Sequence, residues 1–108
     1  GTSSGLVTSG YISSGSHQGA SQGGVQSTAG FLCGAGGAVL NKTVGIVTIQ
    51  TLGSNIWAMS TTNADGTANF TKTGGGSITL GAVLDRVRLS TTSGATFDHG
   101  SVNIAWEY

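Results

Sequence analysis

The amino-acid sequence predicts an all-β fold, an antiparallel β-sandwich of the jelly-roll type. Three observations predict it. Runs rich in Val, Ile and Thr recur at roughly 8–12-residue spacing, bounded by Gly, Ser or Asn. None of the glycine-free stretches carries a strong apolar stripe of helical period. The chain has 20 glycines and no proline, which supplies turns while leaving every backbone donor available to a ladder.

Taken in order, residues 6–12 (LVTSGYI) read as a short strand, residues 13–24 as a loop of turn composition, and residues 25–33 as a second strand interrupted by Gly30. Residues 43–52 (TVGIVTIQTL) are rich in β-branched side chains, which suit a pleated, half-buried surface. Their apolar parity shifts across Gly45, Ile46 and Val47, which predicts a bulge or burial on both faces. Residues 56–62 (IWAMSTT) form the next strand. Asn63-Ala64-Asp65-Gly66 reads as a turn, with glycine where positive φ is cheap. Residues 67–73 follow, anchored by Phe70, and Gly74-Gly75-Gly76 is expected to end them. Residues 77–80 give a short strand and residues 84–92 (LDRVRLSTT) a longer one, in which Asp85 is expected to pair with an arginine across a strand. In residues 101–108, Val102, Ile104, Trp106 and Tyr108 alternate with polar or small residues, so this strand is expected to bury its apolar row in the core.

Composition divides the chain near residue 37. Residues 1–37 are a Gly/Ser-rich segment of short strands or loop, and residues 38–108 hold the regular strands of the sandwich core, with or without residues 1–37 as part of the same domain. Leu, Ile, Val and Phe fill 24 of the 108 positions. That is a modest core, but with zero net charge it predicts a folded chain rather than a disordered one.

Charge is the most unusual feature. Only 7% of residues are charged, against roughly 25% in an ordinary soluble domain. The first 41 residues carry no charged side chain apart from a possible His17. With two Lys and two Arg balanced by four carboxylates, the chain lacks the field that draws nucleic acid or an anionic membrane. It has equally little electrostatic protection against self-association. No segment approaches the ~18–20 apolar residues of a membrane-spanning helix, and no charged-then-apolar leader opens the chain. The opening Gly-Thr in place of Met suggests a piece of a longer protein.

Catalytic constellations are thin, and no catalytic residue, metal ligand or cofactor is assigned. Four carboxylates (Asp65, Asp85, Asp98 and Glu107) offer no local pairing of the kind a glycosidase needs. Asp98 and His99 would point to opposite faces of a strand, and His17 stands alone. The lone Cys33, next to Phe31 and Leu32, is expected as a small buried apolar residue. No phosphate-binding glycine motif is present. Aromatic rings are the best binding candidates, since they combine apolar faces with a polar edge and stack on sugars. Trp106 reads as core. Trp57 opposes Ile56 in parity and reads as the candidate for an interface or ligand, with Tyr11 beside it and Asn55 and Asp98 as polar partners for a carbohydrate.

One stretch carries a resemblance. The run Gly81-Ala82-Val83-Leu84-Asp85-Arg86-Val87-Arg88-Leu89-Ser90-Thr91-Thr92 leads into Thr96-Phe97-Asp98-His99-Gly100-Ser101-Val102-Asn103-Ile104-Ala105-Trp106-Glu107-Tyr108. It resembles the ending of bacteriophage tailspike and tail-fibre proteins, over roughly residues 40–108. The resemblance implies a C-terminal β-sandwich in a homotrimer at the virion tail, outside the cell. It also implies a non-catalytic role in trimer assembly and in binding host surface polysaccharide, any depolymerase activity lying in an upstream domain. The alternative is a free-standing carbohydrate-binding or adhesin domain.

Overall fold

The computed structural model describes residues 1–19, 21–33, 43–65, 70–91 and 100–107. Among them the fold is all-β, with one five-stranded antiparallel open sheet. The strands are β1 (Ile12–Gln18), β2 (Gly23–Ser27), β3 (Thr43–Gly53), β4 (Ile56–Asp65) and β5 (Thr71–Thr79), in the order β2-β1-β5-β4-β3. Two hairpins, β1–β2 and β3–β4, are therefore joined by the last strand in sequence, which inserts between them.

Both ends of the central strand differ from the sequence expectation. The glycine triplet does not end a strand. Gly74, Gly75 and Gly76 lie in the middle of β5, paired with Gly15, Ser14 and Ser13 on one side and Thr61, Ser60 and Met59 on the other. Close approach explains two of them. A Cβ on Gly74 would come within 2.9 Å of the Leu32 carbonyl oxygen, and one on Gly76 within 2.3 Å of the Ile12 carbonyl oxygen. Residues 13–24, expected as a loop, instead hold β1 and the start of β2, because small residues there can lie flat beside the glycines of β5.

The β3–β4 ladder runs without a break from Thr43↔Asp65 to Thr51↔Trp57, and its irregularity falls between Thr51 and Gly53 rather than at Gly45 to Val47. Gly45 is required for another reason. It faces Asn63, whose side-chain oxygen would lie 1.9 Å from an added Cβ. The connection turns through Gly53, Ser54 and Asn55, all left-handed with φ of 89°, 52° and 60°. The Thr51 hydroxyl steadies it, accepting from the Gly53 N–H at 3.1 Å and donating to the Ile56 carbonyl at 3.4 Å. Asn63 to Asp65, expected as a turn, continue β4.

The two faces of the sheet are unequal. The front face carries Trp57, Met59, Thr61, Asn63 and Asp65 of β4, with Ile78 and Lys72 of β5 and His17 of β1. Residues 31–33 cross it as a strap. The Leu32 N–H donates to Ser13 Oγ at 2.9 Å, and Asn63 Nδ2 donates to the Cys33 carbonyl. The buried hydrophobic residues are Met59, Ile78 and Leu80. The back face, with Ser14, Ser16, Ser60, Thr62 and Thr73 at its centre, is crossed by no such strap among the described residues, and Ile12, Val44 and Ile46 stand on it 75%, 71% and 73% exposed.

Residues 81–91 and 100–107 form no strand. Their expected ladders have no partner in the sheet. Asp85 and Arg86 are tied to the first residue: the Gly1 amino group donates to the Arg86 carbonyl at 2.8 Å and the Asp85 N–H to the Gly1 carbonyl at 3.1 Å. Trp106, expected in the core, is 73% exposed, with Val102 and Ile104 each at 66%.

Candidate functional site

The strand order gathers three of the four candidate carbohydrate-binding residues at one end of the sheet. Ile12 lies opposite Ser77, and Ser77 opposite Ala58. The starts of β1 and β4 therefore share an end, two strand spacings or roughly 10 Å apart. Tyr11 precedes β1, while Asn55 and Trp57 flank the start of β4. Asp98, the fourth, lies outside the described residues, as do His99 and Tyr108.

None of the three presents a free aromatic face. Tyr11 is half-buried, its hydroxyl donating to the Val7 carbonyl at 3.2 Å, its ring edge-on to Phe31 with centroids 5.0 Å apart. Trp57 is half-buried on the front face between Thr51 and Ile78, and its indole Nε1 is buried without a hydrogen-bond partner. Asn55 is held in its left-handed turn by the Leu80 N–H, which donates to its carbonyl at 2.9 Å.

At the opposite end of the front face sits a polar cluster that sequence reading did not assemble. Lys72 Nζ lies 2.9 Å from Asp65 Oδ1, with side chains 8% and 0% exposed. The Thr43 hydroxyl donates to the same oxygen at 3.4 Å. His17, opposite Lys72 in the ladder, stands edge-on to Phe70 with centroids 5.6 Å apart, and its Nδ1 is buried without a partner. Gly23 leaves room for this ring, since a Cβ there would come within 2.8 Å of it. The signal for the cluster was the pairing of lone charged residues with a histidine, but only the antiparallel register of β1, β5 and β4 brings them together.

The carboxylates among these groups and on residues 81–91 are already paired. Asp65 is committed to Lys72, and Asp85 to its neighbour Arg86, through bonds of 2.8 and 3.2 Å. The Asp85–Arg86 pair runs along the chain rather than across a strand. The Arg86 hydrogen bond holds the Asp85 carboxyl below its usual range, and the same bond raises the Arg86 guanidinium. Both groups are exposed, so the pair adds little to stability. Cys33, expected buried, is exposed, yet partial burial of its thiol raises it above the ordinary value and away from the reactive thiolate. No group of three or more potential metal ligands occurs among the described residues. No helix of the described residues is long and apolar enough to cross a membrane.

What the surface offers instead is unburied apolar area. Among the described residues fourteen large hydrophobic side chains are exposed, against three hydrophobic residues buried. Twelve of them fall in three places: the back face, the outer strand β3, and the extended residues 81–91 and 100–107; Leu6 and the β2 residue Val25 lie elsewhere. A shallow trough of about 570 Å³ on the back face is lined by Ser14, Ser16, Gly24, Gln26 and Thr73, a hydroxyl- and glycine-rich floor with no ring in it. No family model, curated protein or solved structure matches the chain.

Proposed function

We propose that this chain is a non-catalytic assembly module that completes its fold against further copies of itself, as a C-terminal module of a phage tailspike or tail fibre. The observation that carries the reading is unburied apolar surface. Among the described residues fourteen large hydrophobic side chains are exposed against three hydrophobic residues buried. An exposed apolar surface on that scale marks an interface. Its chemistry is apolar and almost free of charge, which suits burial against an identical surface better than contact with water. In this reading the second layer of a sandwich comes from neighbouring copies, the homotrimer is the unit, and the virion tail is its place. The resemblance of residues 81–108 to tail-protein endings supports the same reading.

The test is the solution mass by light scattering after size exclusion. Three times the 10.6 kDa chain mass is expected. A 10.6 kDa species at micromolar concentration overturns the proposal and leaves a free-standing adhesin or carbohydrate-binding domain.

The second reading, host surface polysaccharide as ligand, is favoured by the gathering of Tyr11, Asn55 and Trp57 at one end of the sheet. In the single chain these rings are half-covered, so the groove would be completed by a neighbouring copy. A glycan array probed with the assembled protein tests it, and an absence of both array hits and cell binding rejects it.

A further inference from the structure

Among the described residues, two elements each lack the partner that the other supplies. The first is the outer strand β3. It is 11 residues long and carries no charged residue and no proline, so it lacks two of the usual protections of an open edge, and its one irregularity falls at its far end, between Thr51 and Gly53. Val44, Ile46, Val47 and Leu52 along it are 71%, 73%, 44% and 69% exposed. The other outer strand, β2, is 5 residues of Gly-Gly-Val-Gln-Ser and offers far less. The second element is the arm of residues 100–107. It alternates apolar and polar residues as a strand does, yet pairs with nothing in the sheet.

Resting on the assembly reading above, we infer that residues 101–107 of one copy add as a sixth strand to the β3 edge of another. The lengths fit, seven residues against eleven. The pairing supplies backbone partners to an edge and an arm that both lack them. It also continues the apolar row of Val44 and Ile46 on the back face with Val102, Ile104 and Trp106 when the arm's row faces that way. Nothing electrostatic opposes it, since β3 is uncharged and Glu107 is the arm's sole charged side chain.

The full-length chain tests this in two measurements. In hydrogen exchange of the assembled protein, amides of residues 101–107 and of β3 are both expected to be slowed by roughly tenfold or more relative to an open strand. Ile104→Asp with Trp106→Ser is expected to release both segments together and to lower the solution mass to the monomer. Val44→Lys with Ile46→Lys is expected to do the same from the other side, at positions exposed enough to keep the fold. Val25→Lys, exposed on the front side of β2 at the other edge, is expected to keep the parent mass. A monomeric parent overturns the assembly reading and this pairing with it. An assembled parent whose arm exchanges freely, or whose arm variants keep the parent mass, overturns the pairing alone. Equal loss of mass in Val25→Lys also overturns it.

Discussion

The Lys72–Asp65 pair shows how few charges this chain uses and how completely it commits them. Both side chains are almost fully buried, at 8% and 0% exposure, and are held 2.9 Å apart. Removing one partner leaves the other charge buried and unpaired. Lys72→Met is therefore expected to lower stability by about 3–5 kcal/mol in urea titration, and the double variant Lys72→Met/Asp65→Leu to recover much of that loss. Equal losses in single and double variants would show that packing rather than charge sets the cost. Cys33 makes a second test at this scale. Its raised thiol is expected to react with a disulfide reagent at pH 8 more slowly than free cysteine, and at the free rate once the chain is unfolded.

Strand β5 is the element on which the sheet depends, because it alone joins the two hairpins. Its glycines are not equivalent. Gly74→Ala would press a methyl group against the Leu32 carbonyl at 2.9 Å and lift the strap from the front face, at a cost of about 1–3 kcal/mol. Gly75 faces the back, where an added Cβ meets nothing closer than the Met59 carbonyl at 3.4 Å. Gly75→Ala is expected to be neutral or to stabilise by up to about 1 kcal/mol, since alanine loses less backbone entropy than glycine in a strand. Thermal melts of the two variants check the contrast. The arm behaves as the opposite kind of element. Deleting residues 105–108 is expected to leave the far-ultraviolet spectrum unchanged and to remove the assembly, because residues 105–107 are exposed and outside the sheet.

At the scale of the whole molecule, the radius of gyration is 14.3 Å, against roughly 13 Å for a compact chain of this length. The longest extent is 41 Å against 27 and 26 Å for the others. A sheet that, among the described residues, buries three hydrophobic side chains on one side and leaves the other uncovered is weakly stable alone. Stability is therefore expected to be tied to concentration: the melting temperature rises as the protein is raised from low to high micromolar. A melting temperature independent of concentration, measured across that range, would mean that the single chain is self-sufficient.

Residue composition alone carried the all-β class and the surface chemistry. Val, Ile and Thr in short runs, glycine between them and no proline leave little but antiparallel strands, and 7% charge leaves an uncharged surface. The sequence also marked the ambiguity of Trp57 through its opposite parity to Ile56, and the structure turns Trp57 inward and Ile56 out. Only the tertiary structure decided which strands are central and which lie at the edge, since pairing partners are far apart along the chain and periodicity carries no address. The glycines of β5 read locally as a stop, and become a strand interior because the Leu32 and Ile12 backbones pass too close for a Cβ. Tyr11, Asn55 and Trp57 share a sheet end, and His17 meets Lys72, only because β5 threads between the hairpins. The alternation ending in Trp106 announces a strand with an apolar row, but a row requires only that something bury it, and within one chain nothing does.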